Sequence, residues 1–189
     1  SYSGELAPKN DTLTKTFKQL DNPFIDLTTD FLDDLESAAV QTHTTQQTGL
    51  SGLDRYDFKS TTVFGQLRSF INSGIAFSGS KALTLDADRF NAGGTTDSLT
   101  GTFNLTGYNT AADDIRLDFM YKHHGQVSNA ANKVWIRGDD LKPWIEVYDL
   151  YANQADAGIF KRSSSIELSN ILAAAIPAQG FSSSLQVRW

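Results

Sequence analysis

The clearest alternation of apolar and polar positions runs from Ile115 to Leu150, IRLDFMYKHHGQVSNAANKVWIRGDDLKPWIEVYDL. Ile115, Leu117, Phe119 and Tyr121 fall on one side of a period of two, and Arg116, Asp118 and Met120 on the other. That is how a strand with one buried face reads. The pattern restarts from Val134 to Arg137, breaks at Gly138-Asp139-Asp140 and resumes from Trp144 to Tyr148 beyond Pro143, which predicts two further strands joined by a Gly-Asp turn. Upstream, Tyr56-Asp57-Phe58 and Phe64 to Ile71 read as short strands. Lys81 to Asp88 alternates with Leu83 and Leu85 inward, Asn91-Ala92-Gly93-Gly94 turns the chain, and Leu99, Phe103 and Leu105 line a returning strand, so a hairpin is predicted there. Thr28 to Val40 fits two periods. Phe31, Leu32, Leu35 and Ala39 make a helix face behind a Thr29 or Asp30 cap, while Phe31, Asp33 and Leu35 also alternate. Near the end Ile166-Glu167-Leu168 is extended, Ser169 is placed to cap a short helix through Ala175 ahead of Pro177, and Phe181, Leu185, Val187 and Trp189 share one face of a last strand. Strands at this spacing, roughly eight to ten of them with at most one or two short helices, predict an all-β fold: an antiparallel two-sheet β-sandwich of the jelly-roll kind.

Composition sharpens this picture in two ways. With 40% hydrophobic and 20% charged residues over 189 positions, the chain has enough apolar surface for a buried core. Its net charge of −6 comes without a Lys/Arg cluster, which excludes a binder that tracks nucleic-acid phosphates and disfavours an anionic membrane surface. No apolar run is long enough to cross a bilayer. There is no cysteine, so the sandwich must hold by packing, and a zinc site would need His and carboxylate ligands alone.

The order SGSKALTLDA, LDFMYKHHG, KVWIRGDDLKPWIEVYDL, SSSIELSNIL and FSSSLQVRW resembles the MAM-type, concanavalin-like jelly roll. It is most similar to the cysteine-free version in multidomain surface and secreted proteins of bacteria that use type IX secretion. FINSGIAFSGSKALTLD, LDFMYKHHGQ and VWIRGDD followed by PWIEVYDL carry most of the likeness. In residues 10–17 the phrase NDTLTKTF resembles the closing strand of CARDB-type immunoglobulin-like modules. Together they imply a division into 1–27, the tail of an upstream β module plus linker, and 28–189, the MAM-like sandwich, truncated at its C-terminus. The resemblance also implies a role without catalysis: adhesion, or binding of a glycan or a cell-surface protein, in an exported, secreted or cell-surface chain. An accessory spacer beside a secreted enzyme, or a module recognised by the secretion machinery, is the alternative it leaves.

Candidate chemistry comes from both readings. The resemblance places Asp33, Asp34, Glu36, Asp86 and Asp88 near an edge where such a fold can hold a structural calcium, a hard cation that takes oxygen ligands. The plainer reading is solvated carboxylates. Trp135, Arg137, Trp144 and Tyr148 are the candidate ligand-binding residues, with Asp139 and Glu146 nearby, because a sugar ring offers an apolar face for an aromatic and a polar rim for charged groups. Trp135 alternates with Val134 and Ile136, and Trp144 with Ile145 and Val147, so each Trp faces outward if those aliphatics are core; otherwise it is itself core. His123-His124 have no third ligand at metal spacing, and the serines at 163–165 and 182–184 sit in no nucleophile-elbow pattern. Gly93-Gly94 lacks the helix and lysine of a phosphate loop. No catalytic residue is predicted. A concanavalin-like glycoside hydrolase, the least favoured alternative, would need two carboxylates across a cleft, for which Asp118 and Glu146 are the candidates.

Overall fold

Apolar residues at every second position create strands that must bury one face, and the structure satisfies nearly all of them in a sandwich. The structure, a computed structural model, describes residues 21–38, 55–60, 68–86, 97–123 and 129–189, without the side chains of 58–60, 68–70, 86 and 97. The strands are β1 (Tyr56–Ser60), β2 (Arg68–Ser73), β3 (Lys81–Asp86), β4 (Asp97–Phe103), β5 (Arg116–Leu117), β6 (Met120–Lys122), β7 (Lys133–Arg137), β8 (Ile145–Asp149), β9 (Phe160–Arg162), β10 (Ile166–Glu167) and β11 (Leu185–Arg188). Among the described residues there is one short helix, α1 (Leu168–Ala174), directly after β10. The fold is all-β and antiparallel throughout its strand pairs, as the periodicity predicts.

One layer is a five-stranded sheet in the order β1-β4-β11-β7-β8. The last strand of the chain therefore lies at its centre, with hydrogen-bonded partners on both sides. The facing layer is a ribbon in which β5 pairs with β10 and β6 with β9. Its register slips by one residue between the Leu117↔Ile166 and Met120↔Arg162 pairs. Ser163, buried at the slip, repairs the ladder: its amide donates to the Phe119 carbonyl, and its hydroxyl accepts the Phe119 amide in place of the missing carbonyl. An amide left unpaired in this position would be costly, which gives one of the three consecutive serines a structural task.

Between the layers Val134, Ile136, Tyr148, Leu185 and Val187 from the sheet meet Ile115, Ile166, Leu168 and Leu172 from the ribbon and α1. Leu117, Phe119 and Tyr121 pack against the same cluster, so the predicted inward face of the opening stretch is the observed one. A second cluster, Ala38, Tyr56, Ile71 and Leu99, fills the end of the sandwich under the β2–β3 hairpin. Trp189 packs against both clusters, with its ring 6.4 Å from Tyr56 and 6.3 Å from Phe119.

Several expectations are corrected. Lys81 to Asp86 forms its hairpin with β2, through a turn at residues 74–80, and not with the strand at Leu99 to Phe103. That strand joins β1 and β11 in the large sheet. Pairing partner depends on which apolar faces meet in three dimensions, and alternation alone cannot choose between two adjacent strands. Residues 28–38 are irregular backbone with bends and short turns, neither helix nor strand. The carboxylates of Asp33 and Asp34 accept the amides of Leu35 and Glu36 two residues on, the local bond that competes with both regular structures, and Leu35 adopts a φ of 61°. Ser169 lies inside α1 and not at its cap, which is Glu167. Its hydroxyl accepts the Ile115 amide and donates to the Asp113 carbonyl, tying helix to ribbon. Strand β9 has no sequence signal, because FKR offers no alternation of its own. Residues 22–27 lie against the sandwich: Ile25 is 5% exposed, and its amide donates to the Asn104 carbonyl. The Gly93-Gly94 turn, Asp88 and His124 fall outside the described residues.

Candidate functional site

The outer face of the large sheet collects the side chains left over once the aliphatics are buried. Val134 and Ile136 are fully buried, so Trp135 and Arg137 of β7 project to the opposite side. Leu185 and Val187 do the same for Gln186 and Arg188 of β11, and Leu99 for Thr100 of β4. The register sets these in two rows. Trp135 lies beside Arg188, which lies beside Thr100; Arg137 lies beside Gln186, which lies beside Thr102.

Hydrogen bonds hold each guanidinium by one corner. Arg137 Nε donates to Gln186 Oε1 (2.7 Å), Gln186 Nε2 donates to Thr102 Oγ1 (3.2 Å), and Arg188 Nε donates to Thr100 Oγ1 (3.2 Å). Trp144, at the entry to β8, lies against both cations: Arg188 Cζ is 3.7 Å and Arg137 Cζ 4.5 Å from its ring centroid, which is cation–π distance. Burial, and secondarily the charge of Arg137, holds the Arg188 pKa below its usual value. Among the described residues neither arginine has a carboxylate in ion-pair range, and no protein acceptor meets their Nη groups. Two acids flank the Arg188 row at equal strand distance: Glu146 opposes Trp135 and pairs with Lys133 at 3.2 Å, and exposed Asp57 of β1 lies beside Thr100; Lys133 also pairs with Asp149.

Three of the four predicted ligand residues, Trp135, Arg137 and Trp144, thus share this face, each half-buried. Tyr148 does not join them. The β7–β8 register shifts between Val134 and Trp135, leaving Val147 as an extra residue in β8, and Tyr148 points into the core at 8% exposure. Its hydroxyl bonds that of Tyr121 (2.9 Å), which in turn donates to the Asn153 carbonyl. Sequence reasoning missed Arg188, Gln186, Thr100 and Thr102. The outward parity of Gln186 and Arg188 is visible against Leu185 and Val187, but nothing in the sequence sets β11 beside β7.

The described acidic residues near Glu36 are each engaged by protein donors. Glu36 Oε1 accepts the amides of Ser80 (2.8 Å) and Lys81 (2.7 Å), and its Oε2 accepts the Ser80 hydroxyl (2.8 Å). The Lys81 ammonium lies on the carbonyls of Glu36 (2.6 Å) and Ala38 (2.7 Å), so a side-chain cation meets the backbone oxygens there. Asp33 accepts the Tyr56 hydroxyl (2.8 Å) and Asp34 the Glu36 amide, while the side chain of Asp86 is not described. Among the described residues no three His, Cys, Asp or Glu side chains converge.

What Glu36 does instead is clamp the turn at 33–38 to the β2–β3 hairpin. The donors of Ser80 and Lys81 hold its pKa below the ordinary 4.5. A depressed carboxyl contributes stability that is present above its unfolded pKa and is lost as pH falls through the folded value. Glu36→Gln is therefore expected to lower the melting temperature at neutral pH and to narrow its difference from wild type below pH 4.5. Thermal melts of both proteins across that range check this, and a constant difference would refute the clamp's charge.

The two carboxylates considered for hydrolysis point outward from opposite layers. Asp118 lies on the ribbon in an ion pair with Arg162 (2.8 Å), and Glu146 lies on the outer face of the large sheet. They do not face one another across a cleft. His123 offers its carbonyl to the Gly158 amide.

No family model, curated protein or solved structure matches this chain.

Among the described residues no helix is long and apolar enough to cross a membrane. On the outer face of the large sheet, aromatic, cationic and neutral polar side chains stand together, flanked by Glu146 and Asp57, with arginine Nη donors that meet no acceptor among the described residues.

Proposed function

We propose that this chain is a ligand-binding β-sandwich module of an exported bacterial surface or secreted protein, with the outer face of the large sheet as its glycan-binding platform. The observation that carries the reading is the cluster of Trp135, Trp144, Arg137 and Arg188 on one solvent-facing side of a rigid sheet. A spacer would need only a polar outer surface. Here two indoles stand beside hydrogen-bonded arginines instead, the mixture of apolar face and fixed donors that a sugar ring fits. Strands built into the middle of a sheet hold such groups with little conformational entropy left to lose on binding.

The 189-residue chain on a glycan array is expected to retain a subset of oligosaccharides. Trp135→Ala is expected to weaken the best of them about tenfold, as central aromatics do in binding surfaces, with the melting temperature little changed because Trp135 projects from the core. An array left blank by the wild type, or binding untouched by Trp135→Ala, would reject the platform.

A further inference from the structure

The two arginines narrow the chemistry of the ligand. Resting on the platform reading above, we infer that this face selects an acidic glycan, one whose sugars bear carboxylate or sulfate groups, and that Arg137 and Arg188 are the residues that read the charge.

In a chain of net charge −6, two guanidinium groups on adjacent strands stand without a carboxylate among the described residues. The groups bonded to or stacked on these half-buried arginines are Gln186, Thr100 and an indole, while the acids of the same row, Glu146 and Asp57, each stand one strand farther out. The neutral acceptors take only the Nε hydrogens, which fixes the planes of the two forks and leaves the paired Nη donors for something else. The arrangement keeps like charges near one another: burial and, after it, the charge of Arg137 disfavour the protonated state of Arg188, whose ring contact Trp144 also lies on Arg137. Both features are relieved by one anionic group that accepts from the Nη atoms, and a planar carboxylate or a sulfate matches the guanidinium fork in two parallel hydrogen bonds.

The flanking tryptophans favour a sugar over an acidic peptide as the carrier of that anion. Trp144 covers the guanidinium faces and so leaves their edges as the donors, and Trp135 stands one strand position away, opposite Arg188, for a ring to rest on. Nucleic acid fits poorly, because the chain carries a net charge of −6 and, among the described residues, the third cation on this face, Lys133, is already paired with Glu146 and Asp149.

The experiment titrates the 189-residue chain with oligogalacturonate, with its methyl ester, with a sulfated galactan and with poly-glutamate. Wild type should bind oligogalacturonate or the sulfated galactan, with affinity falling as salt rises, and should bind the methyl ester at least about tenfold more weakly than the free acid. Which of the two polymers binds tells carboxylate from sulfate. Arg137→Gln and Arg188→Gln should each lose about tenfold, and Arg188→Lys should recover only part of the loss, since an ammonium keeps the charge without the fork. Melting temperatures of the variants show whether the sheet is intact.

Equal affinity for acid and ester, or loss confined to Trp135→Ala, overturns the acidic selection and leaves a neutral-glycan platform standing. Arginine-dependent binding of poly-glutamate in preference to either glycan overturns the sugar. Silence toward every charged and neutral glycan overturns this inference and the platform reading together.

Discussion

Ile136→Ala is expected to lower the unfolding free energy by about 2–5 kcal/mol, the range for truncating a fully buried large aliphatic. For a domain of this size that is a fall of roughly 5 to 15 °C in the melting midpoint. Ile136 has no exposed surface, and it sits on β7 between Val187 of β11 and Ile145 of β8. Both neighbouring strands are hydrogen-bonded to β7, so they cannot move inward to fill the space without breaking the ladder. The facing ribbon is also constrained, since α1 is tied to it by the Ser169 hydroxyl. Such a site collapses little, which keeps the cost toward the upper part of the range. Leu141→Ala is the matched control: Leu141 is 90% exposed in the β7–β8 turn, and its truncation should change stability by no more than about 0.5 kcal/mol. Circular-dichroism melts of the two variants decide the matter, and similar midpoints for both would mean that the layers do not pack as described.

Gly138→Ala should be the second most damaging small change. A Cβ at Gly138 would stand 2.2 Å from the Gly180 carbonyl oxygen and 3.2 Å from Gln179 Cβ, contacts that no rotamer change can relieve because the nearest atom is backbone. The segment it strikes is fastened from several directions. The Gly138 amide donates to Gln179 Oε1 (2.7 Å), Gln179 Nε2 donates to the Pro143 carbonyl (2.9 Å), and the Ser182 hydroxyl donates to the Gly138 carbonyl (2.7 Å). Gln179 is 5% exposed, so opening this contact would leave its amide group unsatisfied. Overpacking of this kind costs about 1–3 kcal/mol, and the loss of the Gln179 bonds places it near the top. Gly180→Ala, across the same contact, should be close to neutral, because a Cβ there meets nothing within 4 Å. Paired denaturant titrations test the asymmetry. Equal effects at the two glycines would show that the approach is not as close as stated.

The same approach ties stability to the binding face. Gly138 comes directly after Arg137, and Pro143, which accepts from Gln179, precedes Trp144. The turn that Gln179 braces therefore delivers both the guanidinium and the indole.

Much of this could be read from residue order. The inward faces of Ile115, Leu117, Phe119 and Tyr121, of Val134 and Ile136, and of Leu185 and Val187 come from a period of two, because a strand offers only two faces and water takes the polar one. The same rule puts Trp135 and Arg137 outward. It fails at Tyr148, where the bulge that leaves Val147 as an extra residue reverses the parity of the rest of β8. It is silent on residues 28–38, where side chain to backbone bonds at Asp33 and Asp34 replace any period.

What the sequence determined by itself is the local alphabet of this protein: most of the strands, β9 apart, the apolar side of most of them, and that no cysteine or long apolar span shapes it. Tertiary structure alone decided which strands pair. It set the last strand, β11, in the centre of the sheet and so brought Arg188 beside Trp135 and within reach of Trp144, residues distant in sequence. It also gave Lys81 to Asp86 to β2 rather than to β4, and turned Glu36 into a clamp for the hairpin turn. Alternation encodes the contrast between a residue and water, whereas neighbours across a sheet are chosen by the fit of buried faces contributed by distant segments, and no local pattern carries that information.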